Sequence, residues 1–314
     1  MQVFRRLNTS SATPCVATIG FFDGMHRGHT FLIDQVRNEA LRRGLRSAVL
    51  TFPVHPRKIL NPEFHPQLLT HVDEKLTLLE QSGVDLCFLP DFTPEMARMT
   101  AREFMGNVLQ QACGVKALVI GYDHRFGHNR HEGFDDYVRH GRDLGMEVIR
   151  AGVSMSPWTD DEGREIPFSS SAIRNLLIQG DVDRVEQALG HPYAIEGQVT
   201  DGYRMGRKLG FPTANILPTQ TDKLLPGEGV YATWVYHRGC RHKGMLNIGR
   251  RPTLDHGTHL SIEVHLLNFT GDLYGETLRI EFIHRLRAEQ KFDNLQSLID
   301  QLHRDAARTD SLLG

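Results

Sequence analysis

The sequence predicts an α/β protein of two parts: a parallel sheet flanked by helices, then a small antiparallel β-barrel with a closing helix. Three observations support this prediction. A chain of 314 residues exceeds what one hydrophobic core usually organises. From Cys15 to about Gly152, short apolar runs alternate with longer amphipathic ones, which is typical of parallel α/β layers. Beyond His191-Pro192, short strands punctuated by Gly, Pro and Thr replace the helical pattern. We place the domains at residues 1–185 and 186–314.

The first half contains strand candidates separated by amphipathic segments. The strands are Cys15–Gly20, Arg46–Phe52, Val84–Leu89, Val115–Gly121 and Met146–Arg150. The helical candidates are His29–Arg43 and Thr100–Cys113, the second opening with a capping box at Thr100 and Glu103. In open parallel sheets, ligands bind beyond the carboxyl ends of the strands. The loops after Gly20, Phe52 and Gly121 are therefore the predicted binding positions.

Two short helices are predicted ahead of the barrel, Ser170–Gln179 and Val182–Leu189, the second capped by Asp181 and ended by Gly190. The predicted barrel strands are Ala194–Thr200, Val230–Tyr236, Lys243–Ile248, Leu260–Leu266 and Thr277–Ile283. The last helix is predicted to be capped by Asp293. Its apolar residues Leu295, Leu298, Ile299 and Leu302 follow helical spacing.

Composition narrows the class of protein. A formal net charge of −2 argues against nucleic-acid binding, which needs a concentrated basic surface. The sequence offers no apolar run long enough for a signal peptide or a membrane helix, so we expect a cytoplasmic protein without membrane contact. The four cysteines form no CxxC pair and are expected to be reduced structural thiols.

A glycine-rich decapeptide joins the first strand to the first helix: Gly20-Phe21-Phe22-Asp23-Gly24-Met25-His26-Arg27-Gly28-His29. Such a junction collects unpaired backbone N–H groups and the positive end of a helix dipole. His26 and His29 can donate hydrogen bonds to phosphate oxygens there, and Gly28 leaves room for a nucleotide to approach the backbone. By itself the segment is more often a Gly-rich turn with two solvated histidines.

Two other segments stand out. Ser169-Ser170-Ser171-Ala172-Ile173-Arg174 opens a predicted helix and, taken alone, is an ordinary Ser cap. Gly206-Arg207-Lys208-Leu209-Gly210-Phe211-Pro212-Thr213-Ala214-Asn215, taken alone, is a Gly-punctuated turn entering a strand. Neither a P-loop nor a dinucleotide fingerprint occurs in the sequence to account for nucleotide binding.

These three segments resemble motifs of the bacterial riboflavin kinase/FMN adenylyltransferase family. The first is similar to GxFDGxHxGH, the second to SSTxIR and the third to GRKLGFPTAN. The resemblance extends from Gly20 to the closing helix. It implies a Rossmann-like nucleotidylyltransferase domain followed by a riboflavin kinase barrel, with ATP, riboflavin and FMN as substrates.

The resemblance implies adenylyl transfer from ATP to FMN in the first domain. The acceptor phosphate would attack the α-phosphorus directly, while His26 and His29 stabilise charge on the phosphates. The ATP-binding set implied by the motifs is Gly20, Phe22, Asp23, Gly28, Ser169, Ser170, Ser171 and Arg174. Phe21 replaces the small or polar residue more usual in the family, and Ser171 replaces the commoner Thr.

Two further loops resemble the family, Thr51-Phe52-Pro53-Val54-His55-Pro56 and Gly121-Tyr122-Asp123-His124-Arg125-Phe126-Gly127. They imply a flavin pocket in which His55 and Pro56 take part, with Asp123 and Arg125 as polar contacts and Phe126 for packing. The His124, His128 and His131 series lacks the Cys or carboxylate partner of a recognisable ligand set, so no metal site is expected there.

In the second domain the resemblance implies that Glu263 is the general base. It would take the proton from the ribityl hydroxyl of riboflavin as that hydroxyl attacks the γ-phosphate of ATP. Thr213 and Asn215 would help to hold Mg²⁺. The remaining implied residues are Gly206, Lys208 and Gly210 for ATP, and Arg287, Glu289 and Phe292 for the flavin. Arg250 and the Asp255-His256-Gly257 turn depart from the commoner pattern.

Other functions fit fewer of these features. Adenylation of a different phosphorylated precursor explains the HxGH motif but not the segment that resembles GRKLGFPTAN. A class I aminoacyl-tRNA synthetase needs a KMSKS-like loop, which the sequence lacks. A flavin-sensing protein without catalysis is disfavoured because His26, His29, Thr213, Asn215 and Glu263 are all present. The sequence makes no prediction of oligomeric state.

Overall fold

The computed structural model describes residues 1–7, 12–121, 124–128, 130–152, 158–159, 165–166, 168–201, 206, 209–252 and 258–314. The chain forms two compact units, Met1–Ser169 and Ser170–Gly314. The first contains a parallel sheet and the second a closed antiparallel barrel, which confirms the predicted fold class. The functional domain limits at 185/186 stay a prediction. Among the residues described, no helix is both long and apolar enough to cross a membrane.

Six parallel strands form the sheet of the first unit. They are β1 (Gln2–Phe4), β2 (Cys15–Ile19), β3 (Arg46–Leu50), β4 (Leu86–Phe88), β5 (Val115–Ile120) and β6 (Glu147–Arg150). Their order is β1-β4-β3-β2-β5-β6, with every pairing parallel. The chain order reverses at β2, which lies between β3 and β5. Ligands of open α/β sheets bind in the crevice that such a reversal creates, so the loop after β2 is at the expected position.

Helices cover this sheet: α1 (Arg27–Arg43), α2 (Pro56–Leu60), α3 (Val72–Gln81), α4 (Pro94–Arg98), α5 (Ala101–Glu103) and α6 (Phe134–Leu144). α1 ends at Gly44, whose φ of 64° is left-handed and whose N–H donates to the carbonyls of Ala40 and Leu41. Its residues Ile33 and Val36 are fully buried in the core. The sequence pattern did not predict α2, α3, α4 or α6.

The predicted helix Thr100–Cys113 is not α-helical throughout. Its capping box is present, because the Thr100 side chain accepts a hydrogen bond from Glu103 N while Glu103 accepts from Thr100 N. After α5, however, Phe104–Ala112 forms a π-helix, and Cys113 N donates to Val108 O five residues earlier, at 3.0 Å. The wider turn brings Phe104, Met105, Val108 and Leu109 to the buried side.

Two short strands close the first unit and two helices open the second. The strands β7 (Trp158–Thr159) and β8 (Glu165–Ile166) pair antiparallel. The helices are α7 (Ser170–Gln179) and α8 (Val182–Leu189), with Asp181 as the N-cap of α8 and the left-handed Gly190 ending it, both as predicted. Arg285 donates to the carbonyls of Gln179 and Glu228, which fastens the end of α7 to the barrel.

The barrel consists of β9 (Tyr193–Thr200), β10 (Ala214–Pro218), β11 (Gly229–His237), β12 (Cys240–Pro252), β13 (Thr258–Leu266) and β14 (Thr277–Arg287). The order β10-β13-β12-β11-β14-β9 closes on itself through the β9–β10 pair, and all pairings are antiparallel. Five of these strands were predicted with bounds, and β10 was indicated only as the strand that the glycine-rich turn enters.

The chain ends with α9 (Leu295–Leu312). The predicted cap, Asp293, is wrong. Asn294 takes that position with an extended backbone, and its side chain accepts from Ser297 N at 2.9 Å. Asp and Asn both cap helices well, so residue type alone did not distinguish Asp293 from Asn294 as the cap.

Candidate active sites

The loop after β2 is held in an unusual backbone conformation. Phe22 and Met25 have positive φ values of 54° and 44°, and both side chains are buried. Left-handed backbone is uncommon for residues with side chains and persists only where the surroundings hold it. The buried side chains of Phe22 and Met25 and the cap of α1 hold it here, so the loop presents His26 and His29 in one fixed arrangement.

His26 and His29 form a stacked imidazole pair at the start of α1. Their ring centroids are 3.6 Å apart with an interplanar angle of 18°. His26 is the N-cap of the helix, and its Nδ1 accepts a hydrogen bond from His29 N at 3.3 Å. Because Nδ1 is the acceptor, the proton of the neutral His26 ring lies on Nε2, which is left as a donor.

Burial keeps both imidazoles neutral. It lowers the pKa of His26 to about 4. It also lowers the pKa of His29 well below its ordinary value, and the nearby His26 and Lys75 add to this effect. The Nδ1 atom of His29 is buried and has no hydrogen-bond partner among the described residues. Neutral rings with N–H donors are suited to receiving anionic phosphate oxygens.

Other motif residues support this loop. Asp23 is buried, and its Oδ1 accepts from the backbone N of Leu69 and Thr70 at 2.9 and 3.0 Å. A side chain at Gly28 would meet the His26 ring at 3.2 Å, so the missing Cβ admits that ring over the first turn of α1. Gly20 follows β2 directly and donates to Leu50 O. Contacts of Gly20, Phe22, Asp23 and Gly28 with ATP stay a prediction.

The loops after β2 and β3 lie side by side. The Phe21 ring contacts the His55 ring edge-on at 4.7 Å between centroids. His55 caps α2 by accepting from Arg57 N at 3.1 Å, and Pro56 is the first residue of that helix. The structure thus brings His55 next to the loop that carries the histidine pair.

The residues after β5 are more dispersed. Asp123 lies outside the described residues. Arg125 folds back to donate to Glu132 O at 2.7 Å. Phe126 is buried and stacks on Tyr137 at 4.2 Å, so it packs in the core of the unit. No group of three potential metal ligands occurs among the described residues, His124 and His128 included.

The serine segment spans the division between the units. Ser169 is the last residue of the first unit and Ser170 the first residue of α7. Ser171 is exposed, while Arg174 lies half-buried one turn later. Their assignment to ATP phosphates stays a prediction.

The barrel contains a cavity of about 380 Å³. It brings together most of the residues predicted for the second site. The lining residues are Gly206, Phe211, Thr213, Val230, Met245, Asn247, Glu263, His265, Arg287, Glu289, Gln290, Phe292, Leu298 and Leu302. Apolar walls with a few convergent polar groups are characteristic of small-molecule sites.

Glu263 lies at the polar centre of this cavity. Its Oε2 accepts a hydrogen bond from Thr213 Oγ1 at 3.2 Å. The strand register sets Asn215 of β10 opposite Glu263 on one side, and Asn247 of β12 opposite it on the other. Directly opposed residues in antiparallel strands are side-chain neighbours. A carboxylate, a hydroxyl and two carboxamides are therefore gathered on one strip of the barrel.

The flavin residues predicted for the barrel line the same cavity. Arg287 Nε donates to Asp305 Oδ2 of α9 at 2.9 Å, and the guanidinium lies 5.8 Å from the Phe292 ring centroid. Glu289 Oε1 accepts from Asn247 Nδ2 at 3.4 Å. It also lies so close to Gly249 that an added Cβ there would be 1.9 Å away.

The glycine-rich turn borders this site. Gly206 O accepts from Leu209 N and Phe211 N, and a Cβ at Gly206 would lie 2.2 Å from Phe211 O. Gly210 has a left-handed φ of 82°. Lys208 lies outside the described residues.

Sequence reasoning missed several residues that the structure adds to these sites. Lys75 is fully buried beneath the loop after β2, although a helical lysine ordinarily indicates a solvated face. Asn247 and His265 line the barrel cavity as well. Leu298 and Leu302 of α9 form its apolar wall. Their helical spacing was the only signal.

Comparisons with known proteins match both halves. The FAD synthetase family model matches residues 8–160 and the riboflavin kinase model matches residues 189–313. The bifunctional riboflavin kinase/FMN adenylyltransferase of Escherichia coli K12 is 36% identical, over 100% of this chain and 98% of its own. The chain belongs to the bifunctional riboflavin kinase/FMN adenylyltransferase family.

Another family member and a solved structure also match nearly the whole length of this chain. The Pseudomonas fluorescens protein of the same description is 36% identical over 95% of this chain and 93% of its own. A crystal structure described as a macrolide-efflux protein from Streptococcus pneumoniae is 30% identical, covers 99% of both chains and has a TM-score of 0.85. Within the family, the stacked histidines belong to the FAD synthetase half and Glu263 to the riboflavin kinase half.

Proposed function

We propose that the two sites described above divide the two activities of the family between them. As a member, the chain phosphorylates riboflavin to FMN with ATP and transfers an adenylyl group from ATP to FMN, giving FAD and pyrophosphate. We assign the adenylyl transfer to His26 and His29, and the phosphorylation to Glu263. The observation that supports this assignment most strongly is the gathering of Thr213, Asn215 and Asn247 around Glu263.

In adenylyl transfer, the phosphate oxygen of FMN attacks the α-phosphorus of ATP and pyrophosphate leaves. No covalent enzyme intermediate is needed, so the protein contributes positioning and charge stabilisation. The N–H donor of His26 would bond a phosphate oxygen. An incoming polyphosphate raises the pKa of a neighbouring imidazole, which strengthens both rings as donors in the bound state.

In the phosphorylation, Glu263 would accept the proton of the ribityl hydroxyl as its oxygen attacks the γ-phosphorus of ATP, with ADP as the leaving group. The Thr213 hydroxyl orients one carboxylate oxygen. The apolar walls of the cavity would receive the isoalloxazine ring, with Phe292 and the anchored Arg287 at its border.

Magnesium fits the donor set of the barrel site. Thr213 Oγ1 and the side-chain carbonyl oxygen of Asn215 are oxygen ligands of the kind that Mg²⁺ prefers. We propose that Thr213 and Asn215 hold a Mg²⁺ ion carried by ATP, which neutralises phosphate charge when bound. Roles for Lys208, Asp123 and the segment Ser169–Arg174, and a cytoplasmic location, stay predictions.

The test is to incubate the protein with riboflavin, ATP and Mg²⁺ and to separate the flavins by chromatography over time. FMN should appear first and FAD later. In His29→Ala, FAD formation should fall by about 10²–10³, as for loss of one preorganised donor, while FMN formation continues. Equal loss of both products in a folded variant would contradict the assignment of separate sites.

A further inference from the structure

Lys75 of α3 has a charged side chain that is almost completely buried. It is 1% exposed. Its Nζ donates to Phe21 O and to Phe52 O, both at 2.9 Å. A buried ammonium is costly unless its hydrogen bonds are made. The two carbonyls that receive them belong to different loops.

Those two loops are the ones that follow β2 and β3. Phe21 belongs to the loop that carries His26 and His29, whereas Phe52 begins the loop that leads to His55. Thr51 Oγ1 donates to the same Phe21 carbonyl at 3.1 Å. Lys75 and Thr51 therefore tie both loops together at the carboxyl edge of the sheet.

The ring of Phe21 completes this arrangement. Lys75 Nζ lies 3.9 Å from its centroid, and the His55 ring meets it from another direction. A cation over an aromatic face is stabilised, more so when water is excluded. The unusual Phe at position 21 thus has a physical role, because it shields the ammonium and contacts the neighbouring loop.

The charge of Lys75 is partly retained despite its burial. Burial lowers the pKa of Lys75 to about 8, against the opposing influence of Asp23 and then Cys87. Asp23 itself is fixed by the backbone of Leu69 and Thr70, just ahead of α3. One buried network therefore joins the histidine loop, the start of α3 and the loop after β3.

We propose that Lys75 is a positioning residue for adenylyl transfer, setting the distance between the loop that holds ATP and the loop that holds FMN. This inference rests on the proposed roles of His26 and His29 and on the predicted place of His55 in the flavin pocket. Each loop still meets its own substrate when the tie is removed. The alignment of the attacking oxygen with the α-phosphorus is what is lost.

The test is Lys75→Met, which keeps the length of the side chain and removes the ammonium. A misplacement near 1 Å can cost about 10²-fold in rate, so we expect kcat for FAD formation from FMN to fall by about 10–100-fold. KM for FMN and for ATP should change by less than about three-fold, since ground-state binding is kept. A kcat within three-fold of the parent, or a rise in KM at unchanged kcat, overturns the proposal.

Three controls make the result unambiguous. Lys116→Met alters an exposed lysine on β5 of the same sheet and should behave as the parent. Riboflavin phosphorylation in the same tube reports on folding of the rest of the chain. His29→Ala is assayed in parallel. If it retains FAD formation, the proposed site is wrong, whereas loss in His29→Ala with full activity in Lys75→Met refutes the positioning role alone.

If Lys75→Met does not fold, Thr51→Val provides a second test of the positioning role. It removes one donor to the Phe21 carbonyl in a side chain of the same shape. We expect kcat for FAD formation to fall by about three- to ten-fold with KM preserved, a smaller misalignment than the loss of Lys75. A kcat equal to that of the parent would then refute the tie between the loops.

Discussion

At the scale of single residues, the first site depends on imidazoles that burial keeps uncharged. The pKa of His26 is lowered to about 4 in the folded chain, while an unfolded histidine titrates near its ordinary value of about 6.5. Below pH 6.5 the unfolded chain therefore binds a proton that the folded chain does not. By linkage, stability falls as the pH drops toward 4.

We therefore expect His26→Gln to make the protein less sensitive to acid. Over the interval from pH 7 to pH 5 the parent should lose about 2 kcal/mol more unfolding free energy than the variant, from the pKa difference of this one group. Denaturant unfolding at the two pH values measures the difference. Equal losses in both proteins would mean that His26 is not held neutral.

A second prediction concerns Glu263. Glu263→Gln keeps the size of the side chain and its place beside Thr213 but removes its basicity. Riboflavin phosphorylation should fall by about 10²–10⁴, the usual contribution of general acid–base catalysis, with ATP affinity changed far less. FAD formation from supplied FMN should survive. A phosphorylation rate near that of the parent would make Glu263 a bystander, and the base would have to be another group in the barrel.

At the scale of elements, α9 is the part of the barrel unit that completes the barrel cavity. Asp305 of α9 is 3% exposed and accepts from Arg287 Nε at 2.9 Å and from Gln301 Nε2 at 2.8 Å. Leu298 and Leu302 of the same helix line the cavity. The buried ion pair therefore holds the helix that supplies one wall of the site.

Asp305→Asn should weaken that attachment. Breaking a buried ion pair on one side costs about 3 kcal/mol or more, and the helix should lift from the barrel before the barrel unfolds. We expect a higher KM for riboflavin in the kinase assay, a lower melting temperature and unaltered FAD formation from FMN. Asp300→Asn, the same change at an exposed position of α9, is the matched control. An unchanged KM for riboflavin would show that α9 does not shape the flavin site.

Elements with strong local signals were predictable from the sequence. The central strands, α1, α7, α8 and most of the barrel have periodic apolar patterns and recognisable caps. β10 was indicated only without bounds because it contains Asn215 and Pro218, which seldom favour strands. Its pairing with β9 and β13 overrides that preference.

The residues around each site were less predictable where their position depends on distant chain segments. Asn247 becomes a neighbour of Glu263 only through the register of β12 against β13. Lys75 is buried only because carbonyls from two loops converge on it. Motif resemblance predicted roles for His26, His29 and Glu263, but a local pattern holds no information on such long-range neighbours.

At the scale of the whole molecule, the two activities are assigned to different catalytic residues, His26 and His29 for adenylyl transfer and Glu263 for phosphorylation. Free FMN should therefore connect the two reactions. Mixing His29→Ala with Glu263→Gln should convert riboflavin to FAD, because one variant supplies FMN and the other adenylates it. Either variant alone should yield little FAD from riboflavin. Chromatography of the mixture checks this. A mixture that accumulates FMN without FAD would mean that FMN passes between sites within a single chain.

Closure of the barrel has a consequence for the newly made chain. β9 is the first strand of the barrel to be synthesised, yet one of its two partners is β14, the last, with Tyr193 opposite Phe282. Pairing across so long a separation is slow, and an unpaired strand edge attracts other chains. While the ribosome still holds α9, that helix cannot yet pack against the barrel. A chain that ends before β14 has two unpaired strand edges, β9 and β11, and is prone to aggregation.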